Sequence, residues 1–394
     1  MECTETTWLN DKEYLQQFNK KAANLRVPLS GSIDITRQCN LRCVHCYLGP
    51  QSEVKKMHRY EMDTSRLLSI IDEITDAGCL YLLITGGEPF LRKDFAEIYT
   101  HAKTKGLLVT VFTNSILVTD SILELFEALP PQAVEISLYG ASAATYEKIT
   151  GINGSYKRCL RGIRRLLEHK INVKLKTILM TLNRHEFFDI ENMAKDLGVK
   201  FRFDAAIFPC LNGDKTPLSL RVSPEDAVEK EFSDDERLRH WRDYFERHQG
   251  LPVSDTLYNC GAGLTSFHID PYGNLQPCLM TASFRYNLSS GSFSIGWHDV
   301  IPRIREKKTG AIYTCNQCEK RILCGFCPAF FKLESGAEDR YSDYLCKMGQ
   351  YRFQTLMPQK VFGAQRNMKI INPPLPPFSK GGIRGILNGA TNEI

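Results

Sequence analysis

The sequence has no apolar run long enough to cross a membrane; a spanning helix needs about 20 such residues. Its opening residues, Met1-Glu2-Cys3-Thr4-Glu5, carry neither the basic start nor the apolar stretch of a secretory signal. Strong charge of one sign is also missing: 50 basic against 45 acidic residues leave +5 over 394 residues. The densest basic stretch, Lys157 to Lys170, reads as the solvated face of a helix. Neither nucleic acid nor membrane is therefore expected as a partner. The expected location is the cytoplasm, where thiols stay reduced.

What the chain does have is cysteine, fourteen in all. In a reducing compartment metal binding is the first reading of that number. Cys39, Cys43 and Cys46 fall within eight residues, and Cys260, Cys278, Cys315, Cys318, Cys324, Cys327 and Cys346 fall within about 90. Cys3, Cys79, Cys159 and Cys210 stand alone.

Between about residues 30 and 206, short apolar strands alternate with amphipathic helices. Strands are expected at Ser32–Thr36, Cys79–Thr85, Leu107–Thr113, Ala133–Leu138, Val173–Met180 and Val199–Ala205. Leu67, Ile71 and Ile74, and later Leu160, Ile163, Leu166 and Leu167, have helical spacing. Asp94 and Thr119 are expected to cap helices. Six such repeats imply an α/β fold with a parallel sheet, either doubly wound or an incomplete barrel. Function then belongs at the C-terminal strand ends. The cysteine triad, Gly86-Gly87-Glu88-Pro89, Thr113-Asn114-Ser115 and Tyr139-Gly140 follow strands one to four and share that rim.

The chain divides into an N-terminal helical extension (1–28), the α/β core (29–207) and a polar linker with a helix near Asp234–Arg247 (208–250). A small cysteine-rich domain (251–356) and a Pro/Gly-rich tail read as disordered (357–394) follow. In the cysteine-rich part, 267–270 and 275–277 flank the turn Pro271-Tyr272-Gly273-Asn274 and read as a hairpin.

Three thiolates spaced four and three apart suit a sulfide-bridged iron cluster with one iron left open. A zinc knuckle is the alternative, with His45 as fourth ligand. The Gly-Gly turn would let a ligand approach the backbone, and Glu88 or its neighbouring carbonyls would accept from an ammonium group. The seven later cysteines fit two zincs or two cubanes, each arrangement lacking one ligand.

Together, Cys-x3-Cys-x2-Cys after strand one and Gly-Gly-Glu-Pro after strand two resemble the radical SAM superfamily, over about residues 29 to 206. The resemblance implies a partial (β/α)6, TIM-like barrel. It also implies a 4Fe–4S cluster on Cys39, Cys43 and Cys46, its open iron chelating S-adenosylmethionine (SAM). Reductive cleavage of SAM would give a 5′-deoxyadenosyl radical that abstracts hydrogen from the substrate. His45, Gly86, Gly87, Glu88, Pro89, Asn114 and Ser137 match positions that contact SAM, with Ser115 replacing a family glycine. Lys176 is a weaker match; a solvated strand lysine is its alternative.

The C-terminal part resembles the SPASM domain, which carries two auxiliary 4Fe–4S clusters. By that resemblance one set is Cys260, Cys278 and Cys327, and the other Cys315, Cys318, Cys324 and Cys346. The two-residue gap between Cys324 and Cys327 is one shorter than the family's usual three. The first set lacks a fourth thiolate: Ser254 stands where some relatives have cysteine. An open iron, or Cys210, is the expectation there, against a plain loop residue for Cys210. Leu279 stands where sulfatase-maturating relatives have aspartate. Arg202 and Asp204 share one strand face and either bind substrate charges or pair with each other. The resemblance implies a peptide or protein substrate, matured or crosslinked, with a small molecule or tetrapyrrole as the alternative. A non-catalytic zinc module is the alternative of another class. A flavodoxin or ferredoxin as electron donor, and a separate peptide-recognition protein, complete the expected partners.

Overall fold

The computed structural model describes residues 11–250, 256–310, 313, 315 and 318–357. Cys3, Ser254 and the tail beyond 357 lie outside them. After helix α1 (Asp11–Asn24), six β/α units follow in order. Their strands are β1 (Ser30–Thr36), β2 (Tyr81–Gly86), β3 (Leu108–Thr113), β4 (Ala133–Ser137), β5 (Val173–Ile178) and β6 (Lys200–Asp204). Helices α2 (Gln51–Met57) and α3 (Thr64–Asp76) precede β2, then α4 (Phe95–Thr104), α5 (Asp120–Ala128), the pair α6 (Ala143–Thr150) and α7 (Ser155–Glu168), and α8 (Phe187–Asp196). Neighbouring strands run parallel in sequential order, as right-handed crossovers require. This is the expected partial (β/α)6 barrel.

Local chemistry sets the helix starts. Thr119 caps α5 by accepting from the Ile122 amide, as its sequence position predicts. Asp94 precedes α4 but does not cap it, because Arg92 and Thr64 take its carboxylate. The expected linker helix is α10 (Asp235–His248), capped by Asp234, after α9 (Pro224–Phe232).

Strand alternation gives the sheet two unlike faces. Ile33, Ile84, Val111, Val134 and Val173 form a row across β1 to β5 that packs on the helices. The opposite face, inside the barrel, carries Asp34, Glu135, Ser137, Lys176 and Arg202.

The expected hairpin forms as β7 (Ser266–Ile269) and β8 (Asn274–Gln276). Its partner is unexpected: β7 lies parallel beside β1 and extends the core sheet, which β9 (Tyr286–Asn287) completes. Beyond it come α11 (Phe293–Ile295), α12 (Pro328–Ser335) and α13 (Asp343–Leu356). A second apolar core joins α9, α12 and α13 to four of the C-terminal cysteines and to Cys278. No helix among the described residues is long and apolar enough to cross a membrane.

Candidate functional site

The loop after β1 carries Cys39, Cys43 and Cys46. Its backbone is pinned from outside: the Arg42 and Val44 amides donate to Thr150 and Ile149 at the end of α6 (2.8 and 3.0 Å). The Cys46 amide donates to the Cys43 carbonyl (3.1 Å). Burial pushes the Cys39 thiol up to about 12; Glu88 and Cys46 add to this, while the Leu41 amide and Asn114 oppose it. Burial, then Cys46 and Cys39, raise the Cys43 thiol well above its ordinary value. Three such thiols facing one another are poor anions alone, and cationic iron reverses that balance.

Gly86 and Gly87 sit against this loop. A Cβ on Gly86 would lie 2.0 Å from the Thr36 carbonyl oxygen, and one on Gly87 2.1 Å from that of Gln38. The close approach is therefore of chain to chain, where the sequence suggested ligand to chain. The Gly87 and Glu88 amides donate to Thr36 and Gln38 (2.8 Å each), fixing the β2 turn to the cysteine loop.

Glu88 is fully buried. Its carboxylate accepts from the Thr113 hydroxyl (2.7 Å), the Asn114 amide (2.8 Å) and the Phe90 amide (3.2 Å). Both oxygens are thus used within the protein, and burial pushes the group up to about 7. Of the two acceptors read from the sequence, the carboxylate is engaged, and the Glu88 and Pro89 carbonyls already accept from the Leu91 and Arg92 amides (3.1 Å each). Asn114 in turn directs its side-chain amide to Asn40 (2.8 Å) and the Cys39 sulfur (3.8 Å). Ser115, in the family's glycine position, adopts the left-handed conformation (φ +59°) and donates to the Cys159 carbonyl (3.1 Å). The His45 ring meets Tyr139 edge-on at 4.5 Å, and burial lowers it to about 4. Ser137 lies beside the Tyr139 hydroxyl.

Three sequence alternatives change. Arg202 pairs with Glu135 (2.5 Å), not Asp204, reaching diagonally over β5 to β4. Asp204 accepts from the Ala206 amide (2.8 Å). Lys176 is not a solvated lysine: its ammonium lies 2.9 Å from the Phe112 ring centre, and burial, then Arg202, lower it well below its ordinary value. Cys210 is buried against the triad loop, its thiol donating to the Cys46 carbonyl (3.3 Å), so it does not join the C-terminal cysteines. Cys210→Ala is therefore expected to keep wild-type iron content, measured per folded chain; loss of a cluster's worth would contradict this placement.

Cys260, Cys278 and Cys327 lie within electrostatic reach of one another. So do Cys315, Cys318, Cys324 and Cys346. The short Cys324–Cys327 gap is accommodated because Gly325 takes positive φ (+80°). Cys324 then backs onto Gly349 of α13, while Cys327 accepts from the Phe330 amide (3.4 Å) at the start of α12. Among the described residues no three His, Cys, Asp or Glu side chains converge on a single metal-ion position.

Comparison with known proteins agrees with this geometry. Residues 33–197 match the model of the radical SAM superfamily. An AdoMet-dependent heme synthase from Methanosarcina barkeri is 27% identical over 330 residues, 75% of this chain and 90% of the relative. The mycofactocin maturase MftC of Mycobacterium tuberculosis is 26% identical over 331 residues, 80% of this chain and 81% of the relative. The fold resembles that of SuiB from Streptococcus suis, solved bound to precursor peptide SuiA, with a TM-score of 0.66 at 18% identity over 88% of this chain and 83% of that one. With its cysteine loop and Gly-Gly turn locked together on the strand rim, the chain belongs to the radical SAM superfamily of enzymes.

Proposed function

We propose that this enzyme modifies a peptide or protein, with Cys39, Cys43 and Cys46 holding the 4Fe–4S cluster that the family implies and the C-terminal sets holding two auxiliary clusters. The observation that carries the reading is the grouping of ten cysteines into three separate sets.

The bound cluster and SAM supply one-electron cleavage of the sulfonium and so the radical that takes a hydrogen atom. The chain's own residues do the positioning. The Gly87 and Glu88 amides hold the cysteine loop. Asn114 supplies an amide to the Cys39 sulfur. The Gly86–Pro89 segment would receive the SAM ammonium, with the Gly86 and Gly87 carbonyls as its acceptors and His45, Ser137 and Lys176 as further contacts. Cys260, Cys278 and Cys327 provide three thiolates, which leaves an open position in that set. With this reading go a cytoplasmic setting and a one-electron donor such as a flavodoxin or ferredoxin.

The peptide assignment draws on the maturase relative, which is similar over 80% of this chain. A tetrapyrrole substrate is the second reading, favoured by the heme synthase relative and its 90% coverage. Reconstituted protein, incubated anaerobically with SAM, reductant and either candidate peptides or an iron coproporphyrin, separates them by mass spectrometry. A mass change in the peptide with 5′-deoxyadenosine is expected. Turnover of the porphyrin alone would reverse the substrate class, and absence of SAM cleavage would remove the cluster assignment.

A further inference from the structure

The barrel-facing side of β1, β7 and β8 carries a polar group that the proposed function leaves unused. Asp34 of β1 is fully buried, and no described protein group donates to either carboxylate oxygen. His268 of β7 is buried beside it. The Ser32 hydroxyl meets its Nδ1 at 2.9 Å, while Nε2 stands 3.8 Å from Asp34 Oδ2, beyond hydrogen-bond reach and with no other partner. Gln276 lies opposite His268 in β8; it reaches Asp270 through Nε2 (3.5 Å) and leaves Oε1 unpartnered. The Arg37 guanidinium, over the Tyr272 ring at 5.2 Å, keeps Nε unpartnered.

Burying an unpartnered carboxylate is costly. The other buried acids here are satisfied. Glu88 takes three donors, Glu135 takes Arg202, Glu191 takes Arg237, and Glu186 takes Ser142 and Thr145. Asp270 takes the Tyr272 and Asn274 amides. Asp34 alone among them ties nothing to anything. Burial pushes its carboxyl up to about 7, with Arg37 opposing and Asp270 and Glu61 adding. Its surroundings connect it to both metal-ligating regions. Tyr47, half-buried in the cysteine loop, is within electrostatic reach of both Asp34 and Cys46. Asp34 thus neighbours the triad loop, and Gln276 precedes Cys278 of the first C-terminal cysteine set by two residues.

We propose that Asp34, His268 and Gln276 form a substrate subsite inside the barrel that receives a cationic nitrogen of a peptide, a lysine or arginine side chain or an amino terminus. This rests on the peptide reading above. The unpartnered atoms are mostly acceptors, with Arg37 Nε the clear donor. A cation bearing several N–H groups satisfies both Asp34 oxygens and the Gln276 oxygen at once. A carboxylate-rich ligand would meet Asp34 as a like charge.

The test uses the reconstituted full chain and ethylammonium chloride as probe, against sodium chloride and sodium acetate at equal ionic strength. Ethylammonium is expected to raise the wild-type unfolding temperature by about 2 °C more than the sodium salts. Asp34→Asn is expected to abolish that difference without lowering its own unfolding temperature, and His268→Gln to diminish it. Equal protection of wild type and Asp34→Asn, or protection by acetate instead, overturns the subsite. So does protection by SAM that disappears in Asp34→Asn, which would give the acid to the cofactor. A strongly destabilised Asp34→Asn makes Asp34 structural and also overturns it. Wild-type SAM cleavage, measured separately as 5′-deoxyadenosine, reports on the enzyme class independently of these arms.

Discussion

Cys43→Ser is expected to reduce 5′-deoxyadenosine formation to background while the protein stays folded. Serine keeps the shape but replaces the thiolate, a soft ligand, with a hydroxyl that iron in a sulfide cluster takes poorly. The loop has its own supports. Arg42 and Val44 hold it to the end of α6, and Gly87 and Glu88 hold Thr36 and Gln38. None of these bonds involves the Cys43 side chain, so the apoprotein should lose no more than about 0.5–3 kcal/mol and stay folded. Iron per chain and absorbance at about 400 nm should fall by roughly a third if three clusters are present. Unimpaired SAM cleavage in this variant would show that the triad is not the site.

Much of this site is legible in the amino-acid order alone. The six strands fall within about two residues of their expected limits, because each run is short, rich in β-branched, leucine or aromatic residues, and bounded by turns. The alternation Ser32-Ile33-Asp34-Ile35-Thr36 places an acid on the face opposite the apolar row. That this acid is left without a donor is not legible, since it depends on which strand lies beside β1. The β1–β7 pairing joins segments more than 230 residues apart, and a parallel pair leaves no turn signature in the sequence.

Side-chain partners escape the sequence for the same reason. Arg202 and Asp204 share a face by strand period, yet Arg202 reaches Glu135 two strands away. The cap at Asp94 fails because Arg92 and Thr64 compete for its carboxylate. Cys210 falls on the rim by its position after β6, but its contact with Cys46 depends on how residues 210–212 fold back. There the Leu211 amide donates to the Tyr47 carbonyl (2.8 Å). The Cys324–Cys327 spacing is legible as a departure, and its remedy, positive φ at Gly325, only in the fold.

Gly87→Ala is expected to strip iron from the triad even where the protein remains folded. The added methyl would lie 2.1 Å from the Gln38 carbonyl oxygen and 2.5 Å from that of Arg37. Both are backbone atoms, so no side-chain rotation relieves the contact, and the two chains must separate. Overpacking of this kind costs about 1–3 kcal/mol, occasionally more. Separation also breaks the Gly87–Thr36 and Glu88–Gln38 hydrogen bonds. Cys39 follows Gln38 directly, so its sulfur moves with the loop and away from Asn114. Disturbing groups that orient a metal ligand costs about 10–100-fold in affinity or activity, and SAM cleavage should fall by at least the lower figure. Gly106→Ala is the control. Gly106 also has positive φ (+83°), but no atom lies within 4 Å of the added methyl. Substitution there strains the backbone by about 1 kcal/mol and should leave iron untouched. If both variants lost stability equally and kept full iron in the cold, the β2 turn would be a packing contact only, and the triad would owe it nothing.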